Sequence, residues 1–201
     1  ENECDAAFIT TPDNVFYFSN FKSDPHERLL GVMVFKDAEP FLICPKMEIP
    51  DVVAAGWTYE VIGHEDTQNA WDVVANAVKA RNVAFNTLAI EKSHLTVERL
   101  EAIQERFETL KFTNIDEKVN ALRICKDEEE LVKLRKAAQL ADFAIEVGCN
   151  AIAEGKTEME ILNTIESAIK AKGHAMSFNT MVLAGEKTAS PHGTPGDRKI
   201  Q

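Results

Sequence analysis

Basic side chains are the scarce class in this sequence: 22 Lys and Arg stand against 33 Asp and Glu, giving a formal net charge of −11 over 201 residues. Phosphate backbones and anionic bilayers are gripped by clustered cations, so this deficit disfavours a nucleic-acid or membrane-surface partner. Long apolar runs are missing as well. No window approaches the roughly 18 apolar residues that a membrane span requires, and no leader-peptide pattern precedes the first structured segment. The four cysteines, Cys4, Cys44, Cys125 and Cys149, lie far apart, with no C-x-x-C or Cys/His cluster. That spacing points to isolated thiols in a reducing cytoplasm, not to a disulfide frame or a zinc site.

Several catalytic signatures also fail. Gly185-Glu186-Lys187-Thr188 is similar to the end of a phosphate-binding loop, but there is no G-x-x-x-x-G-K-[ST]. His26-Glu27 and His64-Glu65 begin like a zinc-binding H-E-x-x-H, but Leu30 and Gln68 occupy the positions of the second histidine. Ser190 has no G-x-S-x-G frame to make it a nucleophile.

What is present reads as alternating strands and helices. Short apolar runs at Ala6–Ile9, Leu29–Phe35, Phe41–Cys44, Tyr59–Ile62, Leu88–Glu91 and Phe112–Ile115 predict strands. Leu29–Phe35 and Phe41–Cys44 lack alternation, which predicts a hairpin buried on both faces. Helices are expected over Met47–Ala55, Thr67–Ala80 and Thr96–Glu108, and Pro12-Asp13-Asn14 is turn chemistry opening the segment Val15–Phe18. This is an α/β domain with a mixed sheet and flanking helices over residues 1–120, with a helix expected upstream of it.

From residue 121 to 201 the character changes. Asp127 caps a long helix with Glu130 three residues on, and Leu131, Leu134, Ala138, Ala141, Ile145, Cys149 and Ile152 form its expected core stripe, with Gly155 as C-cap. Thr157-x-x-Glu160 starts a second capped helix, which should bury Ile161, Leu162, Ile165 and Ile169 and stop at Gly173. A strand is expected around Phe178–Ala184, followed by the loop Ala189–Arg198.

Two stretches carry possible chemistry. Asp24-Pro25-His26-Glu27-Arg28 is either a solvated turn or a loop that delivers His26 and Arg28 to an anionic group, since arginine offers a planar fork for a carboxylate. In Pro191-His192-Gly193-Thr194-Pro195-Gly196-Asp197-Arg198, proline and glycine define a loop of fixed shape. Asp197 and Arg198 could pair to hold that turn, and His192 is suited to proton transfer near neutral pH.

Those two stretches, together with Tyr17-Phe18-Ser19-Asn20, Leu122–Leu131 and Ser177-Phe178, follow an order that resembles the Xaa-Pro dipeptidase (prolidase) and Xaa-Pro aminopeptidase family along essentially the whole chain. The resemblance implies a creatinase/prolidase-like N-terminal domain followed by the opening part of an α+β pita-bread catalytic domain. It implies hydrolysis of the bond before proline, with His192 as the active-site histidine. His26 and Arg28 are implied to bind the terminal carboxylate of a short substrate at the mouth of a site, in a homodimer.

The family uses two divalent ions, often manganese, held by two Asp, one His and two Glu. Those ligands would follow the Pro-His-Gly loop, so the resemblance implies that no residue shown binds metal and that these 201 residues alone are inactive. The Asp-Pro-His-Glu-Arg loop favours a dipeptidase over an aminopeptidase for longer peptides. A non-catalytic pita-bread binding protein and creatinase-like C–N hydrolysis without metal are the rival expectations.

Overall fold

The computed structural model describes residues 4–201, which divide into two compact units, a first ending at Cys125 and a second, Lys126–Gln201. Residue 120, the boundary expected from the sequence, lies inside a helix.

In chain order the first unit contains β1 (Ala6–Ile9), α1 (Pro12–Ser19), β2 (Gly31–Phe35), β3 (Phe41–Pro45), a 3-10 turn at Lys46–Glu48, and α2 (Ile49–Ala54). It continues with β4 (Glu60–His64), α3 (Ala70–Ala80), β5 (Thr87–Ile90), α4 (Val97–Gln104), β6 (Lys111–Asn114) and α5 (Asp116–Ile124). The six strands form one mixed sheet in the order β4-β3-β2-β1-β5-β6. β2 runs antiparallel to both β1 and β3, whereas β3–β4, β1–β5 and β5–β6 are parallel pairs. The expected hairpin is therefore β2–β3.

Side chains alternate across a strand, so a strand covered on both faces must be apolar throughout. β3 shows this residue by residue. Phe41 and Ile43 join Phe8, Met33, Val74, Val78, Leu88 and Ile103 beneath α3 and α4. Leu42 and Cys44 join Ile9, Val15, Val32, Val52 and Val119 beneath α1, α2 and α5. The segment Val15–Phe18 belongs to a helix, because Pro12 takes a first-turn position where its missing N–H costs nothing. Asn69 and Thr96 cap α3 and α4 by accepting from the backbone N–H groups of Trp71 and Arg99.

The second unit is built on α6 (Glu128–Ala151) and α7 (Glu158–Ala171). Both expected capping boxes form, Asp127 with Glu130 and Thr157 with Glu160. α7 buries Ile161 and Ile169 and stops as expected, with Gly173 in the left-handed region at φ +80°.

Three expectations are corrected. The stripe assigned to the core of α6 is largely exposed, with Leu134 at 49% and Ile145 at 69%; α6 instead buries Ala144 and Gly148. The helix carries two apolar stripes, and the small residues Ala144 and Gly148 are the ones that let α7 approach: a Cβ on Gly148 would lie 2.9 Å from the Ile165 side chain. Gly155 is not the C-cap, since α6 ends at Ala151 with Ile152 capping it. Finally, Phe178–Ala184 forms no strand. Its backbone has no neighbouring strand to pair with among the described residues, and the chain passes through it into a 3-10 turn at Gly185–Ala189.

Candidate functional site

In the first unit, the carboxylate of Glu91, at the end of β5, is 1% exposed and receives N–H groups from Thr10 and Thr11 at the start of α1. It also accepts from the Asn14 side-chain amide, whose oxygen accepts in turn from Arg123 of α5 at 2.6 Å. The carboxylate thus sits at the positive end of α1, binding the backbone just before the helix and a side chain of its first turn. This network fixes the loops at the C-terminal ends of the parallel strands β1 and β5.

Just beyond those ends, where open α/β sheets present ligands, lies a cleft of about 310 Å³. Its walls include Thr10, Asp24, His26, Arg28, His94 and Arg99, so the structure brings the two expected binding residues His26 and Arg28 to one place.

Their circumstances differ. His26 sits in a turn closed by the Arg28 N–H donating to the Pro25 carbonyl at 3.0 Å, with its backbone in the left-handed region at φ +53°. Few non-glycine residues adopt that conformation. Its ring is exposed, and Nδ1 lies 3.9 Å from the Asp24 carboxylate. Arg28 is already engaged: Nε and Nη2 donate to the two carboxylate oxygens of Asp66. The hydrogen bonds and charge of Arg28 hold the Asp66 carboxyl below its ordinary range, and Asp66 raises Arg28 in return. His64 bonds the Leu29 carbonyl through Nε2 at 2.9 Å, so the end of β4 holds the loop at a second point. The Arg99 guanidinium donates to the Glu27 carbonyl at a long 3.5 Å.

His192 belongs to the second unit. It is exposed, and the loop that carries it is tied down on both sides by one side chain. Glu158, the first residue of α7, is fully buried, and its carboxylate accepts from the Ala184 N–H at 2.8 Å, the Gly196 N–H at 2.9 Å and Lys187 Nζ at 2.6 Å. The Lys187 hydrogen bond, followed by those from the two backbone N–H groups, holds the Glu158 carboxyl below its ordinary range. Backbone bonds from Glu158 to the Arg198 carbonyl and from Met159 to the Gly196 carbonyl continue the seam, as does a bridge between Thr157 and Lys199. Asp197 and Arg198 do not form the turn-holding ion pair among the described residues. The Arg198 guanidinium packs against Gly185, where any Cβ would collide with it.

Sequence reasoning missed Asp66, Glu91 and Glu158. A charge closing the apolar run at Glu91 was the one available signal. Glu158 and Glu160 both stand in a first helical turn, and the capping-box spacing assigns Glu160 to the cap but says nothing of a buried role for Glu158. Among the described residues no three His, Cys, Asp or Glu side chains gather to hold a metal ion, and no helix is long and apolar enough to cross a membrane.

Known proteins match both units. Residues 1–125 match the creatinase/prolidase N-terminal domain, and residues 132–201 match metallopeptidase family M24. The Bacillus subtilis protein named "Putative dipeptidase YkvY" is 44% identical over 197 residues, which cover 98% of this chain and 54% of that protein. Among solved structures, the prolidase from Pyrococcus furiosus has a TM-score of 0.83 at 29% identity, covering 100% of this chain and 59% of its own. The Xaa-Pro dipeptidase from Bacillus anthracis gives 0.84 at 26% identity, covering 98% and 53%. The chain spans about half the length of the curated relatives it matches.

Proposed function

The chain belongs to the family that joins a creatinase/prolidase N-terminal domain to an M24 metallopeptidase domain, and from that premise we propose that the whole protein is an Xaa-Pro dipeptidase. The observation that carries this reading is the likeness, over 98% of the chain, to a structure titled as an Xaa-Pro dipeptidase. Proline's tertiary amide has no N–H, so cleaving the bond before it calls for a dedicated site.

In this reading His192, exposed on its tethered loop, meets the substrate beside the scissile bond as a hydrogen-bonding or proton-carrying group. His26 and Arg28 take the terminal carboxylate of a short substrate, which competes with Asp66 for the guanidinium fork. Two divalent ions, manganese in this reading, would supply an activated water once bound by the whole protein. The described residues do not fit such a centre, so its ligands are other residues of the whole protein and the 201 residues alone release no proline. The protein acts as a cytoplasmic homodimer.

The test is turnover of Xaa-Pro against Xaa-Pro-Yaa peptides by the whole protein with manganese. Preference for the dipeptide supports the reading. Preference for the longer peptide makes the protein an aminopeptidase. Absence of both leaves a binding protein, and metal-free creatine turnover assigns creatinase-like chemistry.

A further inference from the structure

We propose that Glu158 is the positioning residue of the His192 loop. Its carboxylate binds the loop at Ala184 and at Gly196, so it brackets His192 from both sides with a single rigid group at the first turn of α7. Lys187, inside the bracket, supplies the countercharge that makes a fully buried carboxylate tolerable. Between these anchors the His192 ring is exposed to solvent. Among the described residues the loop lacks the neighbouring strand that usually fixes such a segment. Its shape therefore comes from this carboxylate, from the backbone seam to residues 155–159, and from its own prolines and glycines. Glu158 acts on His192 only through the backbone. The catalytic meaning of the pin rests on the proposed role of His192; its structural content does not.

Hydrogen exchange on this chain, wild type against Glu158→Gln and Lys187→Met, tests the pin without any activity assay. The glutamine side chain keeps the volume but offers one acceptor oxygen and turns an N–H₂ group toward a second donor. Whichever of the Ala184 and Gly196 amides is left facing the N–H₂ group is expected to exchange at least about tenfold faster in Glu158→Gln, while those of Ile161–Ile169 change less than about twofold. The ring resonances of His192 should move toward those of a free peptide in the same variant. Lys187→Met spares both backbone acceptors but leaves the buried carboxylate without its countercharge, so it too should speed exchange at Ala184 and Gly196, and unchanged protection there would show that Glu158 needs no countercharge to hold the loop.

Unchanged protection at both Ala184 and Gly196 in Glu158→Gln would overturn the proposal. So would equal loss throughout α7, which would make Glu158 a residue of global stability. Loss confined to the loop, in a whole protein that cleaves no Xaa-Pro bond, would uphold the pin and sink the peptidase reading instead.

Discussion

Arg28 and Asp66 close on each other through two parallel hydrogen bonds, Nε to Oδ1 at 2.8 Å and Nη2 to Oδ2 at 3.2 Å. The pair pins the Asp24–Arg28 loop to the chain just past β4 and occupies the guanidinium edge that a substrate carboxylate would use. Arg28 is thus a structural residue and a candidate binding residue at once.

This pair predicts a pH dependence. The Asp66 carboxyl is depressed by Arg28, so its contribution is present above the unfolded aspartate value of about 3.9 and is lost as pH falls through the lower folded value. An NMR titration of the Asp66 carboxyl carbon should show a midpoint below that of the same carbon in Arg28→Ala. Equal midpoints would mean that the pair does not persist in solution.

Glu91→Ala should destabilise the first unit by roughly 3 kcal/mol, because the N–H groups of Thr10 and Thr11 and the Asn14 amide lose their acceptor together in a buried place. Urea denaturation followed by tryptophan fluorescence measures it. A loss under about 0.5 kcal/mol, the scale of an ordinary surface change, would refute the network's importance.

The Cys44 thiol, buried in β3, is pushed up to about 12 by desolvation, with the charge of Glu48 adding to it. The thiolate is the reactive form, so native protein at about pH 8 should be alkylated by iodoacetamide at the exposed Cys125 and Cys149 while Cys44 stays unmodified. Peptide mapping reads the outcome, and rapid labelling of Cys44 would show that the sheet opens readily.

His192→Ala should leave thermal unfolding of the chain nearly unchanged, within about 0.5 kcal/mol, since the ring is exposed. In the whole protein the same change should lower Xaa-Pro turnover by about a hundredfold or more. Retained turnover would remove His192 from the proposed chemistry.

Much of this protein is written locally. Strand runs with no alternation announced a sheet covered on both faces, because each strand position must then meet a core. Asp127 with Glu130 and Thr157 with Glu160 announced two helix starts, because a cap is a contact between residues three apart. Proline and glycine density announced the His192 loop.

Tertiary structure decided what depends on partners distant in sequence. Both stripes of α6 are apolar, and only the approach of α7 selects Ala144 and Gly148 as the buried face. Phe178–Ala184 has strand-like residues, but a strand needs a neighbour for its backbone groups and none is supplied among the described residues. Asp66, Glu91 and Glu158 lie 38, 77 and 38 positions from Arg28, Asn14 and Gly196, the groups they hold. Hydrogen bonds act over about 3 Å, so no local pattern could name the donors these carboxylates hold before the fold brought the two together.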